Sequence, residues 1–397
     1  MAPGVKHVLA LSTLYPNAVS PRFGTFVARS LEALAKRGDW RVTVVNPIGL
    51  PPLALGRYRP LADLPAEAVE GGVTVLRPHF TLIPRIGARR NAAAIARAVL
   101  PLVQRLHAQQ PFDVIDAQFF FPDGPAAATI AQAIALPLSI KARGADISYW
   151  GAQDYARRQI LEAADAATGL LAVSRDLAGQ MAAMGMDGEK ITVHYTGLDR
   201  DRFRPFDHQQ LRSQLSRELG FAMPDNVPLL ACVGALIPRK GQGIAVTALR
   251  ATPDARLVLI GKGEDEARLR ALAASEGVAE RVHFAGSIDH DLMPLILSAA
   301  DVMVLPTASE GLANAWVEAL ACGTPVVTCD VGGARELINC DTAGRLVERT
   351  PEAVAAGINA VLESPPPREA VAALTEGFSW DANAAALAAH YERLISA

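Results

Sequence analysis

Residues 305–333 read LPTASEGLANAWVEALACGTPVVTCDVGG. An apolar run ends at Pro306, a turn of small residues carries Glu310, and a helical pattern opens at Gly311, Leu312 and Ala313. Glu318 is expected about two turns into that helix, and a further apolar run at 325–329 completes a strand–turn–helix–strand order. A helix N-terminus leaving such a turn favours anions, because its first amides lack intrahelical acceptors and the helix dipole adds positive potential. Two carboxylates flank that place, and a carboxylate accepts hydrogen bonds from sugar hydroxyls. Phosphate and sugar recognised side by side point to a nucleotide-sugar.

The same alternation runs outward in both directions. Short apolar runs at 5–11, 42–46, 73–77, 114–117, 138–142, 169–174 and 191–194 read as strands. After a polar, proline-containing stretch at 199–228 the pattern restarts at 229–233, 256–260, 282–285, 302–305, 326–329 and 345–347. Helical patterns such as 25–37, 92–107 and 244–250 fill most gaps. Strands alternating with helices predict parallel sheets covered on both faces, with ligands beyond the carboxyl ends of the strands. The expected architecture is α/β: two Rossmann-like domains facing a cleft, at 1–198 and 199–377.

Glu310 and Glu318 stand in an E-x7-E spacing, framed by Ser309-Glu310-Gly311, by Ala321-Cys322-Gly323-Thr324-Pro325 and by Asp330-Val331-Gly332-Gly333. In that frame the chain resembles the family-four retaining glycosyltransferases, whose fold is called GT-B. The segment 378–397, beginning Phe378-Ser379-Trp380, resembles the tail of that fold that crosses back onto the first domain.

The resemblance implies roles. Glu318 would accept the hydroxyls of the nucleotide ribose, against the plainer reading of Asn314 and Glu318 as the wet face of an apolar helix. Glu310 would orient the donor sugar or support oxocarbenium charge, against the plainer reading of Thr307 and Glu310 as a capping box. The amides of Gly311, Leu312 and Ala313 would hold diphosphate or sugar oxygens. The stretch 233–241 resembles the family's G-R-x-x-x-x-K-G loop: Lys240 matches its lysine, Ala235 replaces its arginine, and Arg239 is the candidate to stand in. Gly261 and Gly263, around Lys262, correspond to a loop near the diphosphate. The stretch 283–288, ending in Ile288, would lie near the base, and the donor is expected to be UDP- or GDP-linked.

On the acceptor side the loop 13–24 supplies Arg22 and Gly24, read equally well as a surface arginine and a helix-start glycine. The family's His-Gly-x-Asp turn reads Arg143-Gly144-Ala145-Asp146, and an upstream histidine pair is replaced by Asp116 and Gln118. Arginine stays protonated and cannot act as a base. In a front-face retaining reaction, however, the departing phosphate can take the acceptor proton, with the enzyme supplying position and charge. Arg143 would then stabilise charge or bind an anionic acceptor, and Asp146 and Asp123 would hold the acceptor hydroxyl.

The chain carries 38 Lys and Arg against 41 Asp and Glu, a net charge of −3. Residues 1–200 balance to +5 and residues 201–397 to −8. From Gly71 to Phe112 no acid occurs, yet Arg77, Arg85, Arg89, Arg90, Arg97 and Arg105 do, interleaved with Phe80, Leu82, Ile83 and Ile86. Such a segment fits an anionic membrane surface, or is an ordinary helix and loop with a solvated basic face. A nucleic-acid partner is disfavoured by the acidic balance and the want of a binding motif. Four cysteines without metal-type spacing read as buried free thiols of a cytoplasmic protein, peripheral at most to the inner face of the cytoplasmic membrane. The expected activity is metal-independent and cofactor-free transfer of a sugar to a polysaccharide precursor or lipid-linked glycan. An epimerase of the same fold and a non-catalytic nucleotide-sugar-binding scaffold are the alternatives.

Overall fold

The computed structural model describes residues 4–83, 87–289 and 291–396. The chain divides into two compact units, one of Met1–Gly197 with Trp380–Ala397 and one of Leu198–Ser379.

The first unit contains β1 (Lys6–Leu11), β2 (Trp40–Val45), β3 (Ile48–Leu50), β4 (Glu67–Glu70), β5 (Val73–Leu76), β6 (His79–Thr81), β7 (Val114–Ala117), β8 (Leu138–Ala142), β9 (Gly169–Ala172) and β10 (Ile191–Val193). Eight of them form one sheet in the order β10-β9-β8-β7-β1-β2-β5-β4, and β3 pairs with β6 apart from it. The antiparallel pair in this sheet is β4 with β5. The second unit contains β11 (Leu229–Val233), β12 (Arg256–Ile260), β13 (Val282–Gly286), β14 (Val302–Leu305), β15 (Val326–Cys329) and β16 (Gly344–Val347). These make a parallel sheet in the order β13-β12-β11-β14-β15-β16. Both units are Rossmann-like α/β layers.

Strand direction of travel reverses at β1, which lies between β2 and β7, and again at β11, which lies between β12 and β14. Each reversal opens a crevice beyond the strand ends, the place where open parallel sheets take their ligands. The central strands are apolar almost throughout because helices cover both faces, as β7, β8, β14 and β15 show by being buried at every position. The helix Thr25–Lys36 buries Val27, Ala28, Leu31 and Leu34, a stripe at helical spacing. That stripe meets Ala384, Leu387, Ala388 and Tyr391 of the helix Trp380–Ser396 in one core cluster. The last helix is thus a structural part of the first unit.

The structure departs from expectation at short or polar elements. β3, β4 and β6 carry too few apolar residues to announce themselves. The stretch 199–228 is no simple linker, since it holds the helix His208–Leu219, whose Leu211 and Leu215 pack with Met223, Ile288 and Ile296. Arg212 beside them is fully buried and paired with Asp301 at 2.6 Å. Cys232, Cys322 and Cys329 are buried free thiols, but Cys340 is exposed.

The basic segment is also less uniform than its sequence. Arg77 is buried and paired with Glu70 at 2.6 Å, and Phe80 belongs to the core. Arg89, Arg90, Arg97 and Arg105 are exposed at the start and along the helix Asn91–Gln109, whereas Arg85 and Ile86 lie outside the described residues. No helix among the described residues is long and apolar enough to cross a membrane.

Candidate active site

In the second unit β11 leads through Ala235, Leu236 and Ile237 into a tight turn at Pro238–Lys240. Gly241 follows at φ +74°, and a Cβ there would lie 2.1 Å from the Pro306 carbonyl oxygen. Only glycine permits that contact, so the turn is pressed against the end of β14. Lys240 Nζ consequently donates to Glu310 Oε1 at 2.5 Å, and the Thr307 hydroxyl donates to the same oxygen at 3.0 Å. Arg239 Nη1 stands 3.6 Å from that oxygen and donates to the Ser309 carbonyl. Arg239 therefore reaches the carboxylate although Ala235 occupies the family's arginine position, but its side chain is 45% exposed against 16% for Lys240. Glu310 does not cap a helix, since its partners are two cations and a hydroxyl.

The helix after Glu310 begins later than the pattern suggests, at Asn314, and runs to Ala321 with Ala313 as N-cap. Gly311, Leu312 and Ala313 are therefore loop residues, and Glu318 is the fifth residue of an eight-residue helix rather than two turns in. Among the described residues, the amides of Gly311, Leu312 and Ala313 donate to no backbone carbonyl, while the Gly311 carbonyl accepts from Gly333 N–H at 2.8 Å. The 330–333 turn thus holds the loop from behind and leaves its amides for another acceptor. Glu318 is half-buried. Gly261 and Gly263 pack on the backbone of Gly234 and Leu236, and Leu236 N–H donates to the Lys262 carbonyl at 3.1 Å. Ile288 has its side chain in the core, which leaves only its backbone for any ligand. Two further residues complete the arrangement, one read from the sequence only as the start of a capping box and one not singled out at all. One is Thr307, fully buried; the other is Arg349, which donates to the Pro306 carbonyl at 2.9 Å and to the Pro238 carbonyl at 3.1 Å, tying the two turns together.

In the first unit Gly24 precedes its helix at φ +75°, with a Cβ position 2.5 Å from the Leu14 carbonyl. Arg22 is exposed on that loop. Asp123, expected at the acceptor, instead accepts from the Thr13 amide at 2.9 Å and the Thr13 hydroxyl at 2.8 Å, and is fully buried. Burial lifts its carboxyl to about 7, against those two bonds. Asp146 is likewise fully buried, and its oxygens accept from the amides of Arg143 (3.0 Å), Gly144 (2.8 Å) and Phe120 (3.1 Å). Both carboxylates hold loops in place rather than facing an acceptor hydroxyl.

Arg143 sits in the turn after β8. Its Nε donates to the Gln118 carbonyl at 2.7 Å, its Nη2 donates to Gln118 Oε1, and its guanidinium lies 4.7 Å over the Phe26 ring. Gln118 in turn donates to Asp116. Burial draws the Arg143 guanidinium down to about 10, so it remains a cation at neutral pH. The imidazoles that the sequence lacks at 116, 118 and 143 have no substitute at the turn. His194 is buried against Lys141 Nζ at 2.6 Å, and burial holds the pKa of each well below its ordinary value.

The chain contains two Asp-x-Asp triplets, at 199–201 and 289–291. Asp199 accepts from the Arg202 amide at 3.3 Å and Asp291 pairs with Arg202 at 2.5 Å. No group of three or more ligand-type side chains gathers among the described residues.

Two parallel-sheet units, with a cation–carboxylate pair at one sheet reversal and a pinned arginine at the other, define a protein of the GT-B glycosyltransferase class. The comparisons agree: residues 24–202 match the model of Glycosyltransferase Family 4 and residues 220–376 that of Glycosyl transferases group 1. The chain is a glycosyltransferase of this family 4/group 1 type. It is 28% identical to the teichuronic acid biosynthesis glycosyltransferase TuaC of Bacillus subtilis, over 83% of this chain and 82% of that one. It is 37% identical to a GDP-mannose-dependent monoacylated alpha-(1-6)-phosphatidylinositol monomannoside mannosyltransferase of Corynebacterium glutamicum, over 38% of this chain and 42% of that one. The fold matches the structure of Anabaena HepE in complex with UDP, with a TM-score of 0.74 at 22% identity over 99% of this chain and 100% of that one. The Bacillus and Corynebacterium relatives are named as transferases, and the epimerase alternative is not favoured.

Proposed function

We propose that this glycosyltransferase takes its sugar from a UDP- or GDP-linked donor held at the β11–β14 reversal, and that transfer retains the anomeric configuration without a metal ion or other cofactor. The observation that carries this reading is the Lys240–Glu310 contact at 2.5 Å beside the loop amides of 311–313. A diphosphate brought there meets Lys240, Arg239 and backbone N–H groups, which supply the positive charge otherwise given by a divalent ion. Glu310, released in part from Lys240, is placed to orient the sugar or to face its developing positive charge. Glu318 accepts the ribose hydroxyls, with Gly261, Gly263 and the backbone at Ile288 around the nucleotide.

In the first unit Arg22, Gly24 and Arg143 line the acceptor side, with buried Gln118 holding Arg143 and Asp123 and Asp146 fixing the loops. No neutral base stands at Arg143, so the departing phosphate oxygen takes the acceptor proton. The acceptor is a polysaccharide precursor or a lipid-linked glycan. The names of TuaC and of the mannosyltransferase support that choice, and the exposed arginines 89, 90, 97 and 105 suit a peripheral contact with an anionic membrane face. The test is a thermal-shift screen of UDP- and GDP-sugars in the presence of a chelator, followed by transfer to membrane extracts and NMR of the product anomer. Stabilisation by a nucleotide-sugar under chelation and a retained anomer are expected. Stabilisation only with added metal, or an inverted product, would contradict the reading.

A further inference from the structure

The chain shows what a purely structural arginine looks like. Arg212 is fully buried, each of its three nitrogens is bonded, and it pairs with Asp301 at 2.6 Å. Arg143 differs at every point. It is half-buried, and among the described residues its guanidinium bonds only to Gln118, a neutral partner. Two of its five N–H groups are used there. The nearest acid in sequence, Asp146, serves three backbone amides instead of the guanidinium.

The side chain is nevertheless held firmly. Nε and Nη2 are fixed on Gln118, Gln118 is fixed on Asp116, and the Phe26 ring backs the guanidinium plane. Asp116 and Asp146 are fully buried close by, and burial pushes both carboxyls up; their charge acts on the arginine through space, but neither bonds the guanidinium. A cation taken partly out of water and oriented without an ion-pair partner is costly unless a ligand completes it, and a guanidinium edge matches phosphate or carboxylate geometry. Its position, after β8 and bonded to the residue that follows β7, is next to the β1–β7 sheet reversal.

We propose that Arg143 recognises an anionic group, a phosphate or a carboxylate, carried by the acceptor close to the hydroxyl that receives the sugar. This rests on the reading of the first unit as the acceptor side. Gln118 is then a positioning residue, which aims the arginine without touching the substrate.

The test uses the full chain saturated with UDP or GDP, so that the nucleotide site is filled. Calorimetric titration compares myo-inositol 1-phosphate with myo-inositol, and methyl glucuronide with methyl glucoside. A third arm compares phosphatidylcholine vesicles with and without phosphatidylinositol. The expected result is that at least one anionic probe binds about tenfold or more tightly than its neutral counterpart. Arg143→Ala should erase that preference, Arg143→Lys should keep part of it, and neither should alter nucleotide binding. The first two arms responding would mark the soluble anion itself, and the vesicle arm alone would mark a lipid headgroup. Equal binding of charged and neutral probes by the unaltered protein would overturn the proposal, a comparison that needs no variant to fold. So would a preference that survives Arg143→Ala. Anion preference without nucleotide binding would instead defeat the proposed donor site and leave Arg143's role standing.

Discussion

At the β11–β14 reversal a lysine and a glutamate meet at 2.5 Å with a second cation nearby, whereas at the β1–β7 reversal an arginine leans on a glutamine while the carboxylates around it are buried. The backbone device is the same in both. Gly24 and Gly241 each precede a helix with φ close to +75°, and each is pressed on a neighbouring carbonyl. Similar loops therefore present different charges: an ion pair at one crevice, and at the other a cation whose bonded partner among the described residues is neutral. The difference suits a nucleoside diphosphate sugar at the first and an acceptor with its own charge at the second.

The comparison breaks first at Lys240. Lys240→Ala should lower kcat by about a hundredfold or more, the size expected for removing one preorganised charge from a transition state. A variant with unchanged kcat would take the diphosphate away from this loop. Next come the two glycines. Gly241→Ala and Gly24→Ala should each cost roughly 2–3 kcal/mol in denaturant unfolding, from positive-φ strain and backbone overlap. If one cost little, the two loops would not share a device.

Glu318→Ala is expected to raise the donor KM about tenfold while kcat changes less, as for loss of one charged hydrogen-bond acceptor. A change confined to the acceptor KM would move Glu318 to the other substrate.

The last test concerns Asp123, whose effect is spread over several pH units. Its folded carboxyl, near 7, is higher than the ordinary 3.8, so the native chain holds a proton that the unfolded chain has lost. Its contribution to stability is complete below about pH 4 and disappears as pH rises through 7, with a slope of at most about 1.4 kcal/mol per pH unit. Asp123→Asn should flatten that part of the stability profile, and an unchanged profile would place the titration elsewhere.

How much of this was legible in the sequence depends on what each element rests on. The central strands read directly because burial on both faces makes them continuous apolar runs, and β7, β8, β11, β12, β14 and β15 fall at the expected positions. β4 did not read, because EAVE gains its strand character from pairing with β5. The helix Asn314–Ala321 was placed three residues early, because its N-cap is Ala313 and no capping side chain marks the boundary.

In the site, Lys240 and Glu310 are 70 residues apart, and only the resemblance brought them together in advance. Arg349 gave no signal because it acts through carbonyls that only the fold brings near, and Thr307 reads as the start of a capping box although its hydroxyl bonds Glu310 without closing a helix start. Asp123 and Asp146 misled for the opposite reason: an aspartate in a turn reads as solvent-facing, and nothing local shows that backbone amides will enclose it.

Hydrogen exchange of the full chain, with and without UDP or GDP, tests the central claim most directly, because it reads the amides themselves. Slowed exchange at residues 311–315 and in the 234–241 loop is predicted with nucleotide bound, and the 13–24 loop is predicted to change less. Unaltered exchange at 311–315 with either nucleotide in excess would contradict the account.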